Sequence, residues 1–159
     1  MPAVGLYEDR LAPLEATART WATLSARTVR RLCGLGMEPW SVAAALYRHG
    51  MLPQSRLAAL CHTHKVGISR SVELLVRDKR WLMRLAPGPD ARVRHLVLTE
   101  KGLAEVAVVA EALSGLRHLC LSGMETQDMA QMHALLRRME DSMQRVDLAD
   151  YLGRAEWPG

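Results

Sequence analysis

The side chains best suited to chemistry lie between residues 53 and 102. If 64–79 is a helix, Ile68, Val72, Leu75 and Val76 fall at i, i+4, i+7 and i+8 and form one buried stripe. The other side then carries Lys65, Ser69, Arg70, Glu73 and Arg77. Guanidinium, ammonium and hydroxyl groups on one short helix suit phosphate oxygens and the N7 and O6 acceptors of guanine. Taken singly, each arginine reads more readily as a solvated surface charge. Cys61-His62-x-His64 has the look of a metal cluster, but no carboxylate or fourth ligand sits nearby in sequence, so no metal is expected. No Ser-His-Asp set, Gly-rich phosphate loop or paired carboxylates appear in a supporting context, so neither an enzyme nor a cofactor is expected.

The basic helix needs a scaffold. Upstream, Leu52-Pro53 opens a short helix with Leu57, Ala58 and Leu60 inward, and Cys61-His62-Thr63 forms a turn with Thr63 as the expected N-cap. Downstream, Trp81-Leu82-Met83-Arg84-Leu85 and Val93-Arg94-His95-Leu96-Val97-Leu98 alternate in strand fashion around a turn-forming Pro87-Gly88-Pro89-Asp90-Ala91-Arg92. Helix, turn, helix and hairpin make a winged helix, whose second helix fits a DNA major groove while the wing reaches the minor groove.

Longer helices flank this part. Positions 11, 14, 18, 21, 25, 28 and 32 form a helical seam, and Pro13, tolerable only in a first turn, places the start near Asp9 or Ala12. Gly34 and Gly36 end that helix, and a shorter one runs from Glu38-Pro39 to Gly50. Thr99 is placed to cap a long helix with Leu103, Val106, Val109, Ala110, Leu113 and Leu116 apolar. Glu125 or Thr126 starts the last, striped by Met129, Met132, Leu136, Met139, Met143 and Val146, and the tail from 151 to 159 is short.

With 159 residues, 49% hydrophobic and 24% charged, the chain is expected to form a single globular domain over 1–159. A net charge of +4 permits nucleic-acid binding without requiring it. No apolar run reaches the ~18 residues of a membrane span. The N-terminal residues lack a signal peptide's basic region and apolar core. Cys33, Cys61 and Cys120 are odd in number and widely spaced, which fits a reducing cytoplasm better than a disulfide framework.

The residues between 37 and 102 resemble the multiple-antibiotic-resistance-regulator (MarR) family of bacterial transcription factors. Gly50-Met51-Leu52-Pro53-Gln54-Ser55-Arg56-Leu57-Ala58 looks like the lead-in to the family's first DNA-binding helix, and Ile68-Ser69-Arg70-Ser71-Val72 like its recognition-helix core. Asp90-Ala91-Arg92 resembles the wing signature, and Leu98-Thr99-Glu100-Lys101-Gly102 follows at the family's usual distance. Two stretches depart from the pattern. His62-Thr63-His64-Lys65-Val66-Gly67 lacks the common Ser/Thr-rich run, and Asp78-Lys79-Arg80-Trp81 replaces a Gly-containing turn.

The resemblance implies a mainly α fold with a small β-hairpin wing: a winged helix-turn-helix over 38–100, flanked by dimerisation helices at 8–36 and 103–148. It implies DNA contacts at Lys65, Ser69 and Arg70, with Arg92 and Arg94 from the wing and Asp90 holding the wing's shape. Gly67 implies close DNA approach or a frayed helix start. A homodimer would match a pseudo-palindromic operator of double-stranded DNA; the Met-rich stripe reads as dimer core or as a flexible ligand surface. Trp21, Arg30, Trp40, Tyr47, His49, Arg117 and His118 come from the helices that line the family's effector pocket. Such a set suits a small aromatic carboxylate or phenol, while ordinary core and surface roles remain the competing reading. The expected function is a ligand-released transcriptional repressor; the alternative is a redox sensor of the same fold using Cys33 or Cys120.

Overall fold

Gly34 and Gly50 interrupt the N-terminal helical pattern, both at φ +71°, a positive φ that glycine adopts without the penalty of a Cβ. The computed structural model describes residues 5–85 and 95–154. Its elements run α1 (Gly5–Cys33), α2 (Met37–His49), β1 (Leu52–Pro53), α3 (Gln54–Leu60), α4 (Lys65–Arg77), β2 (Leu82–Arg84), β3 (His95–Leu98), α5 (Glu100–Leu121), α6 (Thr126–Gln144) and α7 (Leu148–Arg154). Contacts group the chain into two compact units, 1–117 and 118–159.

In the first unit, α1 begins earlier than its proline suggests. Pro13 lies inside the helix rather than in its first turn, so one backbone hydrogen bond is missing there. The inward seam also differs from the expected one. Ser25, Val29 and Cys33 are buried while Leu32 is 46% exposed, so the buried line climbs by fours near the C-terminal end. Val42, Ala43 and Leu46 of α2, Leu57 of α3, and Ile68, Val72 and Leu75 of α4 complete one core with Val106, Val109 and Leu113 of α5. Each fully buried Leu, Ile or Val contributes about 1.5–3 kcal/mol by leaving water.

The wing has three strands, not two, in the order β1-β3-β2. Leu52 pairs with Leu96 and Leu82 with Leu98, both antiparallel. Leu52-Pro53 thus serves as an edge strand before α3, a position a proline tolerates because it lacks a ladder N–H. Leu96 and Leu98 are buried and His95 and Val97 half-buried, the alternation expected of a strand with one covered face. The hairpin turn, with Asp90, Arg92 and Arg94, lies outside the described residues.

Thr99 ties the wing to α5. Its backbone N–H donates to the Trp81 carbonyl at 2.8 Å. Its hydroxyl donates to the Arg80 and Trp81 carbonyls at 2.9 and 3.2 Å and accepts the Gly102 N–H at 3.1 Å. That last bond is the N-cap the sequence predicts. A Cβ on Gly102 would strike the Trp81 carbonyl oxygen and lie 2.9 Å from the carbonyl carbon, so only glycine lets α5 approach this closely. Arg80 occupies the left-handed region at φ 57°; it stands in the turn where the family pattern carries glycine.

The second unit contains the end of α5, α6 and α7. Glu125 and Asp128 form a reciprocal capping box at the start of α6. Met129, Met132 and Met139 are half-buried, whereas Leu136, Met143 and Val146 of the same expected stripe are exposed. Helix α7 forms where the sequence suggests only a short tail.

Gly102→Ala should lower stability by about 2 kcal/mol, overpacking outweighing the gain in helix propensity. Arg80→Gly should raise it by about 0.5–1 kcal/mol by relieving a left-handed conformation. Urea unfolding measures both; an unchanged midpoint for Gly102→Ala would contradict the close contact at Trp81.

Candidate nucleic-acid interface

Helix α4 is held in rotation by Ile68, Ser71, Val72 and Leu75, all buried. Ser71 takes the place expected of Val76, which is half-buried, so the stripe is turned slightly toward the N-terminal side. Lys65, Val66, Ser69, Arg70 and Arg77 are thereby exposed, with Glu73 partly so. Lys65, Ser69 and Arg70 make no side-chain hydrogen bond or ion pair among the described residues. Cationic and hydroxyl groups thus point outward beside Val66, which is 62% exposed. An exposed valine on such a face offers the apolar surface that meets thymine methyl groups in a major groove. Sequence reasoning passed over Val66, although its helical position next to Lys65 and Arg70 marks it.

The turn before α4 closes through hydrogen bonds from the Cys61 N–H to the Leu57 carbonyl at 2.9 Å and from Thr63 to Ala58 at 3.1 Å. His62 supplies the left-handed residue at φ 48°. Thr63 is not the N-cap: His64 holds that position, without a side-chain bond. The Thr63 hydroxyl instead donates to Glu38 Oε1 of α2 at 2.6 Å. That same carboxylate fills the space a side chain at 67 would occupy, with Cδ 2.8 Å from an ideal Cβ. Glu38 therefore packs beside Gly67, and a side chain at 67 would have to displace its carboxylate.

Further along the face, Glu73 joins α4 to the wing. Arg84 of β2 donates to Glu73 Oε2 at 2.6 Å, and Arg77 pairs with the other oxygen. The hydrogen bond from Arg84, then the charge of Arg77, holds the Glu73 carboxyl below the ordinary carboxylate value of 4.5. The ion cluster's small contribution to stability is fully present above that value and is lost as pH falls through the lowered folded one. Lys79 is also used internally: its ammonium donates to the Cys33 carbonyl at the end of α1 at 2.7 Å.

No protein-family model and no curated protein sequence matches the chain. Solved structures do. A MarR/EmrR family transcriptional regulator from Acinetobacter sp. ADP1 superposes with TM-score 0.75, covering 87% of this chain and 99% of that one at 20% identity. The S. aureus MepR–DNA complex gives 0.72 over 84% and 97% at 19% identity. A probable transcriptional regulator from Pseudomonas aeruginosa gives 0.63 over 79% and 95% at 25% identity. The chain has the MarR fold.

Among the expected effector residues, one pair is brought together within the first unit. Arg117 lies over the Trp21 ring, 5.9 Å from its centroid. Trp40 is in the hydrophobic core. Arg30, Tyr47 and His49 are exposed in the first unit and His118 in the second. Among the described residues no group of three or more His, Cys, Asp or Glu is placed to hold a metal ion, and no single helix is long and apolar enough to cross a membrane. Cys33 is buried and donates to the Val29 carbonyl at 3.1 Å. Burial pushes the Cys33 and Cys61 thiols up, which reduces the reactive thiolate at neutral pH. Cys120 is exposed.

A thiol reagent such as dithionitrobenzoate at neutral pH should modify Cys120 in the native protein and leave Cys33 protected until unfolding. Equally rapid reaction of Cys33 in the native and the denatured protein would contradict its burial.

Proposed function

We propose that the chain is a homodimeric, DNA-binding transcriptional regulator of the cytoplasm. It binds a pseudo-palindromic promoter site and is released by a small effector. The observation that carries the reading is the outward face of α4. The core fixes this helix by three large apolar residues, and Lys65, Ser69 and Arg70 stand exposed without internal partners among the described residues. A helix so placed supports phosphate and guanine contacts in the major groove, and Arg92 and Arg94 are proposed as further DNA contacts. The MepR–DNA complex, similar in fold, supports DNA as the partner.

Dimerisation is supported by apolar side chains left at the surface of the flanking helices. Leu103 and Val108 of α5 are 45% and 60% exposed, and Leu135 and Met143 of α6 are 62% and 58% exposed. Two-fold symmetry would set two recognition helices about one DNA turn apart. The Trp21–Arg117 pair supports an aromatic, anionic effector, because a ring and a guanidinium are already brought together there. Repression would be steric, and effector binding would favour a dimer whose recognition helices no longer match the groove spacing. The raised Cys33 thiol weighs against the redox alternative at that residue.

In a mobility-shift measurement on the protein's own promoter region, Arg70→Ala combined with Arg92→Ala should weaken binding at least about thirtyfold, from two lost contacts. Full retention of binding would overturn the site assignment.

A further inference from the structure

Glu73 is an anion on the face that otherwise gathers cations. It follows Ser69 by one helical turn and precedes Arg77 by another, so it lies in line with the proposed DNA contacts. Its two oxygens are shared between a residue of its own helix and one of the wing, Arg77 and Arg84. Both arginines would otherwise be mobile cations beside a polyanion. Lys65 and Arg70, near the other end of α4, have no such partner among the described residues.

We propose that Glu73 is a specificity-determining residue that withholds Arg77 and Arg84 from DNA phosphates and so limits sequence-independent binding. Phosphate contacts carry no sequence information; every cation free to make one strengthens binding to all DNA alike. Pairing two arginines with one carboxylate leaves a single net positive charge across the three groups instead of two. It also pins the guanidinium of Arg84 against α4, where it braces the wing. Recognition then depends on the unpaired end of the helix, where Lys65, Ser69 and Arg70 reach base edges. Glu73 is here a positioning residue, acting through the two arginines rather than by touching DNA.

The inference rests on the DNA-binding reading, and the test separates the two. Binding of the full-length protein to a random-sequence duplex is measured by fluorescence anisotropy across a salt series, for the wild type and Glu73→Gln. The variant should bind this duplex roughly tenfold more tightly at low salt. Its plot of log affinity against log salt should steepen by about one to two, close to 0.9 for each further phosphate neutralised. Adding Arg77→Gln and Arg84→Gln to the variant should return both affinity and slope to the wild-type level or below. A purely structural role for Glu73 would weaken binding without steepening the slope, and that result, or an unchanged slope, overturns the proposal. If the wild type binds neither this duplex nor its own promoter region, the DNA-binding reading itself fails.

Discussion

The Trp81 carbonyl is the point on which the first unit turns. It accepts both the backbone N–H and the hydroxyl of Thr99, and it faces Gly102 so closely that no Cβ fits. The Trp81 N–H meanwhile donates to the Leu75 carbonyl near the end of α4 at 2.8 Å. One residue therefore fixes the exit of the exposed basic helix, the start of β2 and the start of α5. Trp81 is 2% exposed, so the junction is anchored on a buried ring. A shift of α5 cannot easily leave α4 where it was.

That junction also explains a motif that the sequence shows only as letters. Leu98 is buried in the sheet, Thr99 caps and ties, and Gly102 permits the approach, so three of the five residues in Leu98-Thr99-Glu100-Lys101-Gly102 have a mechanical reason. The helix-turn-helix, the wing strands and the rotation of α4 were legible because burial imposes periods of 3.6 and 2 on the side chains. The rest depends on partners distant in sequence. The third strand is two residues long and contains a proline, too little to register as a pattern. The carboxylate of Glu38, far upstream in α2, lies in the space beside Gly67, a neighbour that spacing along the chain does not reveal. The drift of the buried line on α1 from Thr28 to Val29 depends on what packs against it. The approach of Trp21 and Arg117, far apart in sequence, is likewise a matter of packing.

Charge is distributed with the same economy. Lys79 closes the end of α1, and Arg77 and Arg84 share Glu73, while Lys65 and Arg70 stand exposed without partners among the described residues. A modest net charge of +4 can thus support a directed interface: what matters is which cations have no internal partner. The same division separates residues that shape the winged domain from those proposed to meet DNA.

The central claim is that the exposed face of α4 enters a major groove. Guanine N7 lies in that groove, so methylation interference on a duplex selected by the protein from a randomised pool tests the claim directly. The expected result is two clusters of guanines whose N7 methylation blocks binding, with centres about 10 base pairs or a multiple of that apart. Binding that tolerates methylation at every guanine N7 would contradict it.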